Sequence, residues 1–464
     1  MNSTREAGSA PNRSAELWSA LCGAEIALQY LELHGPPALS SAFDVSGLAA
    51  DSIGVASLAV AELASLRSGV RFPEVIVSRL EASAAFRCES LQAPEGWPLP
   101  PSWDPIAGNY RAQDRWIRLH TNYKSHRDAV LSVLGVTAER EAVAAAVSRW
   151  EAEALEQAVV DAGGAAACMY ARGEWLNSDV GRATAQEPPV ALLERGVSTS
   201  PLGPLPTGER GGAPLAGVRV LDLTRVIAGP LCTRFLAAYG ADVLRVDPTG
   251  FEEVPALLPE TTIGKRRCFL DLHTPAGKQR LRELVAAADA LVVGLRPGAL
   301  KRFGFDAQTL RGLNPNLVVA ELDAYGWSGP WCGRRGFDSL VQMSCGIAAQ
   351  GGDAPGALPA QALDHAAGYL LAAGVCRALS QRMRGELMHV RASLLGVANH
   401  LWSRPIADPT PRVEHWPDEL FERAETAWGP VRRVRCPGKL SGISPAWTRT
   451  AGNLGSDAPS FGDG

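Results

Sequence analysis

One aspartate stands where a reactive carboxylate could be held. Asp364 lies in the segment ALDHAAG, between an apolar run and Gly368, at the predicted start of a helix. Backbone N–H groups and the helix dipole favour an anion there, and a carboxylate can attack an acyl group to form a mixed anhydride. Asp is also a preferred helix N-cap residue. Taken by itself, the local sequence favours the capping role.

Two other segments could serve a reaction at this carboxylate. The preceding loop, Ala348–Pro359, is rich in Gly and small residues, so its backbone could approach a ligand closely and donate N–H groups to an oxyanion. An ordinary connector would have the same composition. Asp247 ends a predicted strand, where an acid often meets a ribose hydroxyl in nucleotide-binding folds. Without a Gly-x-Gly-x-x-Gly sequence, a plain strand-ending residue is the default interpretation.

The elements that must position these residues alternate between strand and helix. Residues 218–223, 243–246, 290–293 and 317–322 are predicted strands, and residues 231–239, 275–288 and 307–313 are predicted helices. This alternation predicts an α/β fold, with a Rossmann-like parallel sheet wound with helices. The N-terminal part is predicted helical over Ala15–Glu32 and Leu48–Arg67, and then mixed.

Two stretches rich in Pro and Gly, Ser200–Gly217 and Arg404–Pro417, divide the chain. We therefore predict an N-terminal unit at 15–199, a linker at 200–215, a Rossmann-like unit at 216–405, and a linker with a closing segment at 406–464.

The chain also contains an internal similarity. Val60–Phe86 resembles Val375–Leu401: Leu63 matches Leu379, Gly69 matches Gly385, and Ser78 lies close to Ser393. We interpret the two stretches as partial copies of one element. Chance likeness between Ala-rich helices is the alternative.

Composition excludes several classes of protein. The 45 basic and 49 acidic residues nearly cancel, without a dense basic run, which argues against a nucleic-acid partner. The apolar runs are too short to span a membrane, and the polar N-terminus lacks a signal sequence, so a cytoplasmic protein is expected. The nine cysteines are scattered singly, so no metal site is predicted.

Several segments together resemble the class III CoA-transferases, which include formyl-CoA and carnitine CoA-transferases and α-methylacyl-CoA racemases. The segment PLAGVRVLDLTRVIAGPLCTRFLAAYGADVLRVD begins the likeness, and later blocks such as RRGFDSLVQMSCG and ALDHAAGYLLAAGVCRAL follow in family order. The N-terminal unit resembles the family's post-catalytic helix and its smaller mixed α/β domain. The chain is thus similar to two incomplete copies of an interlaced architecture, which implies a homodimer or an internal pseudo-dimer.

The resemblance implies roles for individual residues. It makes Asp364 the nucleophile of a CoA-transferase, with an aspartyl anhydride and then a thioester as intermediates. CoA would be a substrate, with no permanently bound cofactor, and the partners would be an acyl-CoA and a small carboxylic acid. The residues implied to contact CoA are Arg225, Val226, Ile227, Ala228, Asp247, Lys265, Arg266, Gly294, Leu295 and Arg302.

Some positions depart from the family. Gly294 and Leu295 replace an Asn and an aromatic residue that contact CoA. Phe337 stands where racemases place a His, and His365 is a poor substitute because neighbouring helical residues do not face each other. Racemase-like proton transfer and a non-catalytic CoA-binding partner protein therefore stay open as alternatives to CoA transfer.

Overall fold

In the computed structural model, residues 13–69, 71–200, 203, 213–406, 409 and 413–462 are described. Most of the predicted linker 200–215, and part of the stretch 404–417, lie outside these residues. The helices, in chain order, are α1 (Arg13–Ala20), α2 (Val45–Ser68), α3 (Arg79–Ala85), α4 (Cys88–Leu91), α5 (Lys124–Leu134), α6 (Arg140–Val147), α7 (Ala152–Asp161), α8 (Arg172–Asn177), α9 (Asp179–Ala183), α10 (Ala228–Ala238), α11 (Leu258–Thr261), α12 (Pro275–Ala287), α13 (Ala307–Leu313), α14 (Asp338–Ser344), α15 (Ala362–Met383) and α16 (Leu394–Trp402).

The strands, in chain order, are β1 (Leu31–His34), β2 (Val75–Ser78), β3 (Ala93–Pro94), β4 (Gly108–Arg111), β5 (Trp116–Leu119), β6 (Ala166–Cys168), β7 (Val190–Val197), β8 (Arg219–Leu223), β9 (Asp242–Asp247), β10 (Lys265–Phe269), β11 (Ala290–Val293), β12 (Val318–Asp323), β13 (Glu386–Ser393), β14 (Phe421–Thr426), β15 (Gly429–Val434) and β16 (Lys439–Leu440). Short 3₁₀ turns occupy Glu25–Tyr30, Pro255–Leu257, Lys301–Phe303, Ala348–Gly351 and Asp418–Leu420.

The central sheet has the strand order β10-β9-β8-β11-β12-β13-β7. The first six strands are parallel, and their order is that of a doubly wound Rossmann sheet, while β7 pairs antiparallel with β13. The predicted α/β fold with a parallel sheet is therefore confirmed. Strand β7 precedes residue 200 in sequence yet belongs to this sheet, and the predicted unit boundaries stay a prediction.

A smaller mixed α/β domain follows the first helices. Its antiparallel sheet β4-β5-β6 packs against α5, α6 and α7 around a core that includes Ile117, Val143 and Leu155. This domain forms one wall of the site described below.

The two similar stretches form matching units, β1-α2-β2-α3 and β12-α15-β13-α16. In each unit a long helix joins two strands, and the strands of each pair are parallel. Each helix is followed by a glycine with positive φ, Gly69 at 69° and Gly385 at 89°. Helices α2 and α15 pack along each other in the main core. By length and a mean hydropathy of 1.4, α2 could cross a membrane, but 94% of its apolar window is buried in the protein, as in a core helix.

The predicted helix Ala15–Glu32 is wrong beyond Ala20. Cys22 adopts a left-handed φ of 52°, a 3₁₀ turn follows, and Leu31–His34 forms β1. Pairing with β2, more than forty residues later, overrides the local helical pattern.

Candidate active site

A cleft of about 1310 Å³ lies at the carboxyl-terminal edge of the central sheet. Residues at the ends of four strands line it: Leu223, Asp247, Gly294 and Asp323. They belong to or follow β8, β9, β11 and β12, and the strand order reverses between β8 and β11. Open α/β sheets bind ligands at this switch point. The cleft is therefore where the fold itself predicts a binding site.

The opposite wall comes from the N-terminal part of the chain. Residues 100–105 and 122–126 line the cleft. The Tyr123 hydroxyl donates a hydrogen bond of 2.8 Å to Glu253 Oε1, which joins the two walls. Neither unit forms this cleft without the other.

Asp364 is the third residue of α15 and lines the cleft, with 8% of its surface exposed. The N-cap position belongs to Gln361, so the capping role for Asp364 is wrong. One turn later, Gly368 lets the backbone of Ala228 approach, because an added Cβ would lie 2.5 Å from its carbonyl oxygen. The first turn of α15 is therefore packed against the turn that follows β8.

The first-turn amides of α15 are already bonded. Asp338 Oδ2 accepts hydrogen bonds from the N–H groups of Leu363 at 2.8 Å and Asp364 at 3.1 Å. The expectation that helix N–H groups would favour the Asp364 anion is thus wrong. Instead, burial and the nearby carboxylates of Asp338 and Glu89 raise the pKa of Asp364 well above its usual range. The carboxyl group is buried and poorly compensated.

His365 contacts a different part of the protein. Its Nε2 lies 3.0 Å from Glu89 Oε2, and its ring stacks on Phe86 at 5.2 Å. It therefore belongs to a contact with the N-terminal unit, which the sequence analysis did not predict.

The turn after β8 is strained and lies on the cleft. Arg225, Val226 and Ala228 line the cleft, whereas Ile227 packs in a small apolar cluster with Val254 and Leu257. Val226 has a φ of 67°, a rare conformation for a β-branched residue. Such strain tends to be kept at functional sites.

Two carboxylates hold this turn and the end of β9. Glu253 Oε2 accepts the Val226 N–H at 3.0 Å and also pairs with Arg245 at 3.1 Å. Asp247 lines the cleft, but its Oδ2 is ion-paired with Arg245 at 2.8 Å, and burial raises its pKa. Asp247 is thus at the predicted place, but Arg245 donates hydrogen bonds to both of its carboxylate oxygens.

Two predicted contacts lie away from the cleft. Lys265 Nζ is fully buried and bonds to Asp222 at 3.0 Å and to the carbonyl of Pro230 at 2.9 Å. Arg266 pairs with Asp242 at 3.1 Å. Both residues belong to β10, the edge strand two places from β8, so the structure does not bring them to the site.

Five arginines line the cleft, and one of them, Arg334, is ion-paired with Glu156. Gly294, Leu295 and Arg302 lie there as predicted, and Arg225 lies over the Phe251 ring at 4.0 Å. The sequence interpretation missed Arg296 and Arg335, although both stand in the quoted segments VGLRPG and RRGFD. In the described part of the chain, Arg225, Arg296, Arg302 and Arg335 have no carboxylate within ion-pair distance. They form an unpaired positive rim.

The Gly-rich loop does not line the cleft in the described structure. It begins with the 3₁₀ turn Ala348–Gly351, and the Leu358 N–H donates to Gln342 Oε1 at 2.9 Å. The loop also contacts the small domain, since Trp116 Nε1 donates to the Asp353 carbonyl at 2.7 Å. Its predicted oxyanion role is not supported by this placement.

Two histidines of the small domain pack around Phe337. The His120 ring stacks on Phe337 at 3.6 Å, and the His126 ring lies 5.8 Å away. Burial is the main cause that lowers the pKa of His120 to about 3 and of His126 to about 4. His126 lines the cleft, so a neutral imidazole faces the site from the N-terminal unit.

Comparison with known proteins identifies the family of this chain. Residues 215–449, about half of the chain, match CoA-transferase family III, and the protein belongs to this family. It is 36% identical over 194 residues to a probable fatty acyl-CoA transferase of Mycobacterium tuberculosis, covering 38% of this chain and 49% of the relative. It is 34% identical over 220 residues to a formyl-CoA:oxalate CoA-transferase of Bradyrhizobium, covering 44% and 51%.

A third relative is an acetyl-coenzyme A transferase of Hypoxylon pulicicidum, 39% identical over 147 residues, covering 31% of this chain and 25% of the relative. A crystal structure from M. tuberculosis aligns with a TM-score of 0.38 and 34% identity, covering 41% of this chain and 58% of that one. The chain spans about half the length, or less, of these curated relatives.

Proposed function

We propose that the protein transfers coenzyme A between an acyl-CoA donor and a carboxylic acid, with Asp364 as the nucleophile. The observation that supports this proposal most directly is the position of Asp364. Its buried carboxyl group lies on the wall of the cleft at the sheet's switch point, and unpaired arginines surround that cleft. Arginine suits the diphosphate and the 3′-phosphate of CoA because its fork binds phosphate oxygens in pairs.

The reaction follows from the carboxylate. Asp364 attacks the thioester carbonyl, the C–S bond breaks, and CoA leaves as thiolate from an acyl-aspartyl anhydride. The thiolate then attacks the aspartyl carbonyl, releasing the donor acid and leaving an aspartyl-CoA thioester. An acceptor carboxylate reverses these two steps and departs as the new acyl-CoA. No net proton is needed, but Asp364 must be ionised.

The paired units support an internal pseudo-dimer as the working form. Helices α2 and α15 pack together within one chain, and both walls of the cleft come from that chain. A single chain would then carry one site.

The test is to trap the anhydride or thioester. The protein is incubated with acetyl-CoA, succinyl-CoA or a long-chain acyl-CoA, then with hydroxylamine, and Asp364 is examined by mass spectrometry for a hydroxamate. Asp364→Ala should give none. Absence of the hydroxamate with every donor, together with no exchange of labelled CoA, would count against transfer.

Each of two alternative functions is supported by a specific observation. His126 faces the cleft beside Phe337, so α-proton transfer has a candidate base; exchange of an α-proton with deuterated water, without CoA movement, would favour it. The chain also spans only part of its relatives, and a binding-only protein would be stabilised to heat by CoA without turnover.

A further inference from the structure

The reactive turn of α15 is held by a residue from the N-terminal unit. Glu89, in α4, places both carboxylate oxygens 3.0 and 3.1 Å from Nε2 of His365. His365 directly follows Asp364 and is fully buried. Phe86 stacks on the other side of the contact, so the imidazole has little freedom to turn. One residue of the N-terminal unit thereby fixes the residue next to the nucleophile.

The surroundings of this turn carry more negative than positive charge. The ionisable groups that face it from α14, α4, α10 and α11 are Asp338, Cys88, Glu89, Arg234 and Glu260. Arg234 is ion-paired with Glu260, and its Nη2 also lies 3.6 Å from Cys88 Sγ. The cation is therefore engaged elsewhere, and Glu89 remains the direct partner of His365.

The same atoms invite a second interpretation. The ligand atoms of Cys88, Glu89 and His365 lie within 4.8 Å of one another, which would suit a metal ion. The Arg234 guanidinium beside the thiol already supplies positive charge at this place. We therefore treat the cluster as an ion-paired support and not as a metal site.

We propose that Glu89 is a positioning residue for the reactive carboxyl: by holding His365, it sets the rotation of the first turn of α15 and the direction in which Asp364 enters the cleft. The proposal rests on the proposed function. It also has an electrostatic side, because Glu89 contributes to the raised pKa of Asp364 after burial and Asp338.

The test compares Glu89→Gln and Glu89→Asp with the unchanged protein. The readouts are CoA binding, the single-turnover rate of Asp364 acylation from an acyl-CoA that labels the unchanged protein, and the pH dependence of that rate. Misdirection of a nucleophile by about 1 Å can cost on the order of 100-fold, so Glu89→Gln should acylate roughly 10- to 100-fold more slowly. CoA affinity should stay within about twofold.

The pH profile separates positioning from a merely structural role. Removing the Glu89 charge lowers the pKa of Asp364, so the acidic limb of the acylation rate should move to lower pH in Glu89→Gln and return in Glu89→Asp. Glu81→Gln is the matched control, because Glu81 on α3 pairs with the exposed Lys439. It should change neither rate nor profile.

The outcomes are distinct. A normal acylation rate and an unmoved acidic limb in Glu89→Gln would overturn the role of Glu89 while leaving CoA transfer intact. Absence of any hydroxamate in the unchanged protein would instead remove the proposed function, and the inference with it.

Discussion

The N-terminal ends of α2 and α15 are two versions of one construction whose carboxylates have different partners. At α2, Asp44 caps the helix by accepting the Gly47 N–H at 2.8 Å, and Arg404 donates to Asp44 at 3.0 Å and to Asp51 at 2.7 Å. At α15, Asp338 caps the helix by accepting the Leu363 N–H. The residue of the N-terminal unit that contacts this end is Glu89, which pairs with His365.

Glu89 and Arg404, the residues that contact these two helix ends, occupy matching positions in the sequence. Ser78 and Ser393 each cap the helix after the second strand of their unit, and Glu89 and Arg404 each stand eleven residues further on. Counted back from Gly69 and Gly385, the position of Asp364 is taken in α2 by Leu48, which is fully buried. In one copy two carboxylates share a buried arginine, and in the other the charged neighbours of Asp364 are themselves carboxylates. The comparison teaches that the surrounding charges, and not the helix itself, distinguish the copy that we propose to be reactive.

The largest expected effect comes from exchanging the carboxyl at the reactive end. Asp364→Asn should lower acyl transfer by at least about 10³-fold, because the nucleophile is lost, while the thermal midpoint stays level or rises. Asp51→Asn, at the N-terminal end of α2, should keep transfer and lose stability instead. The measurements are the transfer rates and the thermal unfolding midpoints of the two variants. A comparable loss of activity in Asp51→Asn would contradict the difference that we infer between the two helix ends.

The next effect tests the N-terminal end of α2. Arg404→Met should destabilise the protein by about 3–5 kcal/mol, because the carboxylates of Asp44 and Asp51 lose their buried partner. Urea unfolding gives the free energy, and CoA binding under native conditions should persist. A change below about 1 kcal/mol would mean that water compensates these carboxylates.

A smaller effect concerns pH at the reactive end. In the proposed mechanism Asp364 reacts as the carboxylate, so activity should rise as pH increases through its raised pKa. Asp338→Asn removes a negative neighbour, lowers that pKa, and should move the rise to lower pH. The amide still accepts the Leu363 and Asp364 N–H groups, so kcat at high pH should fall about tenfold or less. A rise that moves to higher pH would contradict the assigned electrostatics.

The smallest effect should be equal in both copies. Ser78 accepts the Leu80 N–H at 3.2 Å and Ser393 accepts the Gly396 N–H at 3.0 Å. Ser78→Ala and Ser393→Ala should each cost about 1 kcal/mol of unfolding free energy. A much larger loss in one variant would show that the serine has a further role in that copy.

The sequence predicted the central unit well because its signals are local. Strand 290–293 and helix 307–313 are observed with the predicted bounds, and Asp364, Arg225 and Arg302 all line the cleft. Periodicity and the order of the motifs were sufficient there. The likeness between Val60–Phe86 and Val375–Leu401 also predicted the two matching units.

The remaining features depend on contacts distant in sequence. Lys265 and Arg266 were placed by resemblance, but the direction of a side chain on an edge strand depends on its neighbours, Asp222 and Asp242. Likewise, no local pattern announces that Glu89 meets His365, or that Asp338 takes the amides of the reactive turn. Both contacts join residues that are far apart in sequence, and the first of them also requires the N-terminal unit to dock.

The pairing of early strands with late strands has a consequence for folding. Strand β2 pairs with β16, joining Val75 to Leu440, and β3 pairs with β15, joining Ala93 to Arg432. Each pairing joins residues more than three hundred positions apart in sequence, and topologies with such high contact order fold slowly. We expect the closure of these two sheets to be the slow step in folding, because β15 and β16 must find partners that were synthesised long before them.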